Sequence, residues 1–239
     1  EPAVRYFSMA GRQGQWRSAD TWPPADATPC EYLLSSDGNA KFGGSGRLSI
    51  DGGYTAETDR FNYDPHNPVP TLWTREWFTG PADRHRLEGR DDILCYRSEP
   101  LSDAVEIAGY PEAVLFVSSS APDTDFFARL VDEHPSGGPA PEMCYGMVRA
   151  RHRNSLDVEE LLTPADVVEL RIRMGPTACR FEPGHRIRLE ITSSDFPNHD
   201  RNHNTGKNDL ADTELVVATN AVHHSAAHPS RLVLPVSEA

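Results

Sequence analysis

The chain has 239 residues, and its 38% hydrophobic content predicts a globular protein with a real core. Its 36 acidic and 23 basic side chains give a formal net charge of −13, which disfavours nucleic acid and anionic membranes as partners. No apolar run approaches the ~20 residues that a membrane-spanning helix needs. The chain opens on Glu1 rather than Met, so we interpret it as a processed or trimmed piece. A cytoplasmic location is slightly favoured, although a lost targeting segment would leave no trace.

Short runs of alternating apolar residues dominate the sequence and predict strands. The predicted strands cover 30–36, 46–50, 92–98, 104–109, 112–120, 125–132, 143–152, 167–173, 177–181, 185–193, 214–219 and 230–234. In the clearest, Ile187, Leu189 and Ile191 face one way and charged residues face the other, as in a half-buried antiparallel strand. With frequent Gly, Pro and Asn punctuation, the pattern predicts one all-β domain over 1–239, a jelly-roll β-sandwich.

Two stretches depart from this pattern. The region 51–90 has few strand signals and many Pro, Asp and aromatic residues, and so long an irregular connection is often functional. Residues 158–162 predict one helical turn ahead of Pro164. Reduced core thiols are favoured for the cysteines, with disulfides left open: Cys30, Cys95, Cys144 and Cys179.

No complete catalytic site is recognisable in the sequence. A nucleophile elbow has the pattern G-x-S-x-G between a strand and a helix. Residues 43–47 (Gly-Gly-Ser-Gly-Arg) lack the last glycine and precede a strand, so they predict a glycine-rich turn. Glu57 and Asp59 are interpreted as a solvated edge rather than an acid/base pair. We expect no catalytic residue in this chain, although triads are defined by geometry and a missing motif does not disprove one.

Metal sites are also disfavoured. His199 and His203 have the i, i+4 spacing of helical zinc sites, but they lie among Asn, Asp and Gly residues typical of a loop. Asp123 and Asp125 offer carboxylates for calcium, but an Asx-turn that opens a strand is the simpler interpretation. We therefore predict no metal site and no cofactor.

Several segments occur together in a recognisable order. They are 6–17, 63–71, 89–101, 123–132 (from Asp-Thr-Asp-Phe), 184–188 (Gly-His-Arg-Ile-Arg), 193–197 (Ser-Ser-Asp-Phe-Pro), 202–206 (Asn-His-Asn-Thr-Gly) and 229–235. In this order they resemble the C-terminal jelly-roll domain of the cocaine esterase, X-prolyl dipeptidyl peptidase and α-amino-acid ester hydrolase family, known as CocE/NonD. Among their residues, Arg186, Asp195 and Asn204 are expected to make structural polar contacts at the sandwich rim.

The resemblance implies a function for the chain and for its parent protein. The Ser, Asp and His of the triad would lie in an α/β-hydrolase domain ahead of residue 1, and this chain would pack on that domain. The parent would hydrolyse small esters, amides or X-Pro peptides through an acyl-enzyme. The alternative is a stand-alone carbohydrate-binding module, because fold alone does not fix function. A self-contained hydrolase is disfavoured by the missing elbow.

One segment departs from the family pattern. Many members are glycine-rich within 71–80, whereas this chain has an aromatic segment at 72–78 that contains Trp73, Trp77 and Phe78. In the family this loop lies towards the catalytic domain and can contribute apolar wall to the acyl pocket. Large apolar side chains on a segment with little strand character predict burial against another surface. We expect that surface to be the catalytic domain, with substrate at the seam; the open alternative is that the segment folds back over its own sandwich.

Overall fold

The computed structural model describes residues 2–10, 13–72 and 82–237. Strands dominate this part of the chain, and helix is limited there to short 3₁₀ turns at Arg84–Leu87, Pro135–Gly137 and Ala150–His152. The strands are β1 (Val4–Ser8), β2 (Gln15–Ala19), β3 (Thr28–Ser35), β4 (Arg47–Ser49), β5 (Thr58–Tyr63), β6 (Leu94–Arg97), β7 (Val105–Gly109), β8 (Glu112–Ser119), β9 (Asp125–Glu133), β10 (Glu142–Arg149), β11 (Val168–Arg173), β12 (Thr177–Phe181), β13 (Arg186–Thr192), β14 (Ala218–His223) and β15 (Arg231–Ser237). The all-β prediction is confirmed. Within the described ranges no helix is long and apolar enough to cross a bilayer.

Most of the described strands join one sheet that curls over on itself. Its main path runs β10-β9-β13-β6-β4-β3-β15-β8-β14-β5, while β11 pairs with β8, and β7 pairs with β12 and β15. The separate hairpin β1–β2 is antiparallel. Phe61 on β5 and Phe126 on β9 come from opposite parts of the path, yet their ring centroids lie 6.4 Å apart. Because distant strands share one core, the sheet encloses a β-sandwich, as the sequence predicts.

The core between the layers is continuous and apolar. Leu115, Leu130, Leu189 and Leu232 are fully buried in it, each from a different strand. Burial of one such side chain contributes about 2–3 kcal/mol. This core is what holds the sandwich together and positions the polar groups on its outer face.

The cysteines are free, as favoured from the sequence. Cys95 and Cys179 are buried, and burial raises the pKa of Cys95 to about 12. A thiol with such a pKa stays protonated at neutral pH and is a poor nucleophile. These side chains therefore act as small apolar residues.

Two strands lie where polar residues point into the core. β5 falls inside the region 51–90 that the sequence analysis treats as irregular, and on it Asp59 is buried beside Phe61. β14 begins at Ala218 rather than at 214, and Asn220 on it is fully buried. Inward polar residues break the apolar alternation on which strand prediction depends. The prediction for these two regions is therefore wrong in its boundaries.

The helical turn predicted at 158–162 is also wrong. The backbone amide of Glu160 donates to the carbonyl of Arg151 at 2.8 Å, and that of Leu162 donates to Pro122 at 2.8 Å. Hydrogen bonds to distant segments replace the local bonds that a helical turn would make. The stretch is a connection held against the rim of the sandwich.

The strand predicted around Ile187 is confirmed as β13, but its second face is not solvated. Arg188 and Glu190 on that face are 0% exposed. A segment that includes the 3₁₀ turn at Arg84–Leu87 covers them, because Arg84 reaches Glu190 from it. The covered face carries the charged residues described next.

Candidate domain interface

A network of buried charges occupies the outer face of β9, β10 and β13. On these strands the charged residues alternate with core residues, so they point away from the main core. The network joins guanidinium groups to carboxylates: Arg84, Arg97, Arg129 and Arg188 with Glu133, Glu142, Glu190 and Asp195. Removing ions from water costs several kcal/mol each, and only close pairing offsets that cost.

Glu190 is the most deeply buried acceptor in this network. It accepts from Arg84 Nε at 2.9 Å and Nη2 at 2.7 Å, and it is also paired with Arg188. Burial opposes its ionisation, but the two guanidinium groups outweigh burial and hold the pKa of Glu190 below its ordinary value. The carboxylate is therefore charged at neutral pH.

Backbone hydrogen bonds hold the described residues on both sides of the aromatic segment. Before it, the amide of Thr71 donates to the carbonyl of Phe196 at 2.8 Å. After it, the amide of Arg84 donates to Ala140 at 2.9 Å, and Glu142 donates to Ala82 at 3.1 Å.

Beneath these contacts one guanidinium ties the two attachment points together. Arg129 reaches Glu142 at 2.6 Å and Asp195 at 2.9 Å. Thr71 is bonded to Phe196, which follows Asp195, and Ala82 is bonded to Glu142. The backbone on each side of the segment is thus bonded to a stretch that Arg129 also contacts. These flanking residues, 69–72 and 82–84, are therefore held to a common support, and together they are called the base of the aromatic segment.

Trp73, Trp77 and Phe78 lie outside the described residues, so the expectation for them stays a prediction. Leu72 is the last described residue before them. It packs with Phe42 against a small second core cluster: Val69, Leu87 and Ile93. The approach to the aromatic segment is therefore anchored by apolar contacts as well as hydrogen bonds.

Aromatic side chains surround this base. Phe196 is 39% exposed, and the Arg201 guanidinium lies 5.0 Å from its ring centroid. Tyr145 faces Arg129 at 4.7 Å and His199 at 5.8 Å. A partly exposed apolar and cationic surface of this kind suits contact with another protein surface.

The two histidines with zinc-like spacing do not form a helical site. The backbone from His199 to His203 is not helical. His199 Nε2 lies 3.3 Å from the Tyr145 hydroxyl instead. The i, i+4 spacing brings ligands together only on a helix, so the preference for loop chemistry is confirmed.

Asp123 and Asp125 are used by arginines. Arg151 donates to Asp123 at 2.7 Å, and Arg149 donates to Asp125 at 2.8 Å. Asn202 bridges them with its side-chain amide at 2.6 and 2.9 Å. These long-range contacts differ from the local Asx-turn that the sequence analysis favoured, and they occupy the oxygens that calcium would require.

A serine, a histidine and an aspartate do meet in this chain, but not as a triad. In a triad one imidazole nitrogen faces the serine and the other faces the aspartate. Here His224 Nε2 faces both Ser36 Oγ at 3.2 Å and Asp59 Oδ2 at 3.0 Å, while Nδ1 faces Thr55 Oγ1 at 2.6 Å. Ser36, Asp59 and His224 are all buried, so substrate cannot reach them.

Asp59 is the centre of that buried cluster. It also accepts from the Tyr96 hydroxyl at 2.7 Å and from the Ala40 amide at 2.8 Å. Burial opposes its ionisation, but hydrogen bonds from His224, Tyr96 and Ser36 outweigh burial and lower the pKa of Asp59. The interpretation of Asp59 as part of a solvated edge is wrong. The sequence shows an acidic residue there, but it does not show that several hydrogen-bond donors converge on its carboxylate.

The remaining motif residues have structural roles. Gly43 has a φ of +76°, which glycine adopts without strain, and the turn leads into β4 as predicted. Arg186 donates to the carbonyl of Ser98 at 2.6 Å, and Asn204 donates to Val216 at 2.6 Å. Polar contacts to the backbone are what the sequence analysis expects of them.

These features define a β-sandwich domain whose described residues show no triad geometry and whose partly exposed rim suits contact with another protein surface. The family model of the X-Pro dipeptidyl-peptidase C-terminal non-catalytic domain matches residues 1–233, and the chain belongs to that family. The CocE/NonD resemblance is thereby confirmed.

Proteins similar to this chain include two that are named as esterases. Cocaine esterase of Rhodococcus sp. (strain MB1 Bresler) is 41% identical over 98% of this chain, and a putative serine esterase of Mycobacterium bovis is 29% identical over 99%. The solved structure of an α-amino acid ester hydrolase superposes with a TM-score of 0.87 at 26% identity, covering 98% of this chain and 41% of its own. This chain spans 42% and 37% of the two esterases. The chain thus matches the non-catalytic C-terminal domain of this family, and the carbohydrate-binding alternative is not supported.

Proposed function

We propose that this domain serves a serine ester hydrolase by docking on the catalytic domain and completing the wall of its acyl pocket. The observation that carries the proposal is the 41% identity to cocaine esterase across almost the whole chain. The catalytic domain supplies the nucleophilic serine, its base and the oxyanion hole, and forms an acyl-enzyme that water hydrolyses. Small esters are the favoured substrates, ahead of amides and X-Pro peptides.

The docking surface is the aromatic segment together with its base. Trp and Phe side chains bury about 150–250 Å² each, enough to dominate a contact. The base formed by 69–72 and 82–84 is already fixed by hydrogen bonds and by Arg129. Less conformational freedom is lost when a segment with fixed ends docks than when its ends must also be ordered. A rigid base thus supports precise placement of Trp77 and Phe78 at the seam.

Replacing Trp77 with Ala in the full-length protein is expected to reduce discrimination between bulky and small acyl groups. Loss of one apolar pocket contact changes such selectivity by about tenfold or more. The measurement is the ratio of kcat/KM for benzoyl and acetyl 4-nitrophenyl esters.

Tyr54→Ala is the matched control, because Tyr54 is another aromatic residue, 50% exposed, on the stretch between β4 and β5. It should leave the ratio unchanged. If Trp77→Ala also leaves the ratio unchanged, and the two domains remain docked in limited proteolysis, the pocket role is wrong. If it only lowers the stability of this domain, the segment folds back over its own sandwich.

A further inference from the structure

Two histidines and an aspartate converge where β9 ends and β13 begins. Asp132 lies near the end of β9, His134 follows that strand, and His185 directly precedes β13. One ligand atom from each lies within 4.8 Å of the others. β9 and β13 are paired neighbours, with Ile187 opposite Asp132, so the sheet itself brings these residues together.

Each oxygen of the aspartate faces one imidazole nitrogen. Asp132 Oδ1 is 2.9 Å from His185 Nδ1, and Oδ2 is 3.4 Å from His134 Nε2. The two imidazole rings lie side by side, with centroids 4.2 Å apart. Two imidazole nitrogens and a carboxylate, donor types that zinc prefers, therefore lie close together.

His134 contributes a nitrogen that lies 3.4 Å from Asp132 Oδ2. Its Nε2 is shielded from solvent and has no partner of hydrogen-bond geometry among the described residues. Such buried polar atoms are rare in native proteins, and a bound ion is one physical reason for them. The atom belongs to the group of three donors that lie within 4.8 Å of one another.

The charge environment of Asp132 favours a cation. Asp132 is 3% exposed, and its ion pairs within the described ranges are to these two histidines, whereas Glu190 and Asp195 face arginines. A divalent ion would compensate the charge of this buried carboxylate.

We propose that Asp132, His134 and His185 bind a divalent transition-metal ion, with zinc the best match. Zinc takes imidazole nitrogen and carboxylate oxygen at about 2.0–2.2 Å in a tetrahedron, which places neighbouring ligand atoms about 3.3 Å apart. Each imidazole nitrogen lies at about this distance from one oxygen of Asp132, and one ligand atom from each of the three residues lies within 4.8 Å of the others. Three protein ligands leave one position for water.

The ion would join two segments of the chain. It would tie the connection after β9, which contains the 3₁₀ turn at Pro135–Gly137, to the start of β13. Because such a site forms only in the folded chain, metal binding stabilises the fold. This role is separate from acyl-pocket formation, so either proposal stands or falls alone.

The test is zinc titration of the full-length protein after chelator treatment and dialysis. Calorimetry should show one tight site per chain, lost in His134→Gln and in Asp132→Asn. Loss of a group that merely orients a ligand already costs about 10–100-fold in affinity, so removal of a ligand should cost at least about 100-fold. Cobalt should give the visible absorption of a tetrahedral ion in the parent and not in these variants.

His85→Gln is the matched control. His85 Nδ1 lies 3.0 Å from Asp83 Oδ1, a histidine–aspartate pair without a second histidine, and the substitution should leave zinc affinity unchanged. The melting temperature should rise with zinc in the parent and in His85→Gln only. Absence of saturable binding at micromolar zinc, or equal affinity in His134→Gln, would overturn the proposal. Because His134 lies in a partly exposed turn, that variant is expected to fold even if Asp132→Asn does not.

Discussion

Replacing Glu190 with Gln is expected to lower the free energy of unfolding by about 3–5 kcal/mol. The substitution keeps the shape of the side chain but removes the charge that Arg84 and Arg188 share. Both guanidinium groups are essentially inaccessible to water, so neither can recover its hydration in the folded state. Urea denaturation of the 239-residue chain, followed by tryptophan fluorescence and circular dichroism, gives the measurement.

Glu31→Gln provides the matched control for that experiment. Glu31 pairs with Arg231 at 3.2 Å, but its side chain is 56% exposed. An exposed ion pair contributes about 0–1 kcal/mol, so this variant should be nearly as stable as the parent. Equal losses for Glu190→Gln and Glu31→Gln would show that the buried network does not hold the covering segment in place.

Asp59→Asn is expected to cost about 3 kcal/mol, because its carboxylate accepts hydrogen bonds from several buried donors at once. The new amide group would present hydrogens to the Ala40 amide or to the Tyr96 hydroxyl, which already donate. Tyr96→Phe removes a single partner and should cost about 1 kcal/mol. The comparison is made by urea denaturation under the same conditions.

The same variants separate a structural cluster from a catalytic one. Ser36→Ala in the full-length protein should leave esterase kcat and KM unchanged, since among the described residues the hydroxyl contacts Asp59, His224 and the local backbone. Asp59→Asn should reduce activity no more than it reduces the folded fraction. A large fall in kcat for Ser36→Ala at unchanged stability would contradict this account.

The sequence predicts strands correctly where apolar residues alternate with polar ones. Leu170 and Ile172 on β11 are buried as their spacing predicts, and most strands lie within a few residues of their predicted bounds. Prediction fails where a polar residue points inward, as Asp59 and Asn220 do. Alternation cannot mark such positions, because their burial depends on donors from distant strands.

The outer face of the sandwich could not be predicted in the same way. Arg188 and Glu190 alternate with apolar residues, which is the pattern of solvent-exposed side chains on a half-buried strand. They are buried because folding brings Arg84 over them, which the sequence pattern does not show. The cluster of Asp132, His134 and His185 is similarly hidden, because β-sheet pairing rather than a local motif assembles it. The aromatic segment is different, because its composition alone predicts a contact with another surface.

We propose that this chain shapes a hydrolase without supplying its nucleophile. Labelling the full-length protein with a serine-directed fluorophosphonate, followed by peptide mass spectrometry, tests it most directly. We expect the label on a serine outside residues 1–239, accompanied by complete loss of esterase activity. Stoichiometric labelling of Ser36, Ser45 or another serine within this chain would contradict the account.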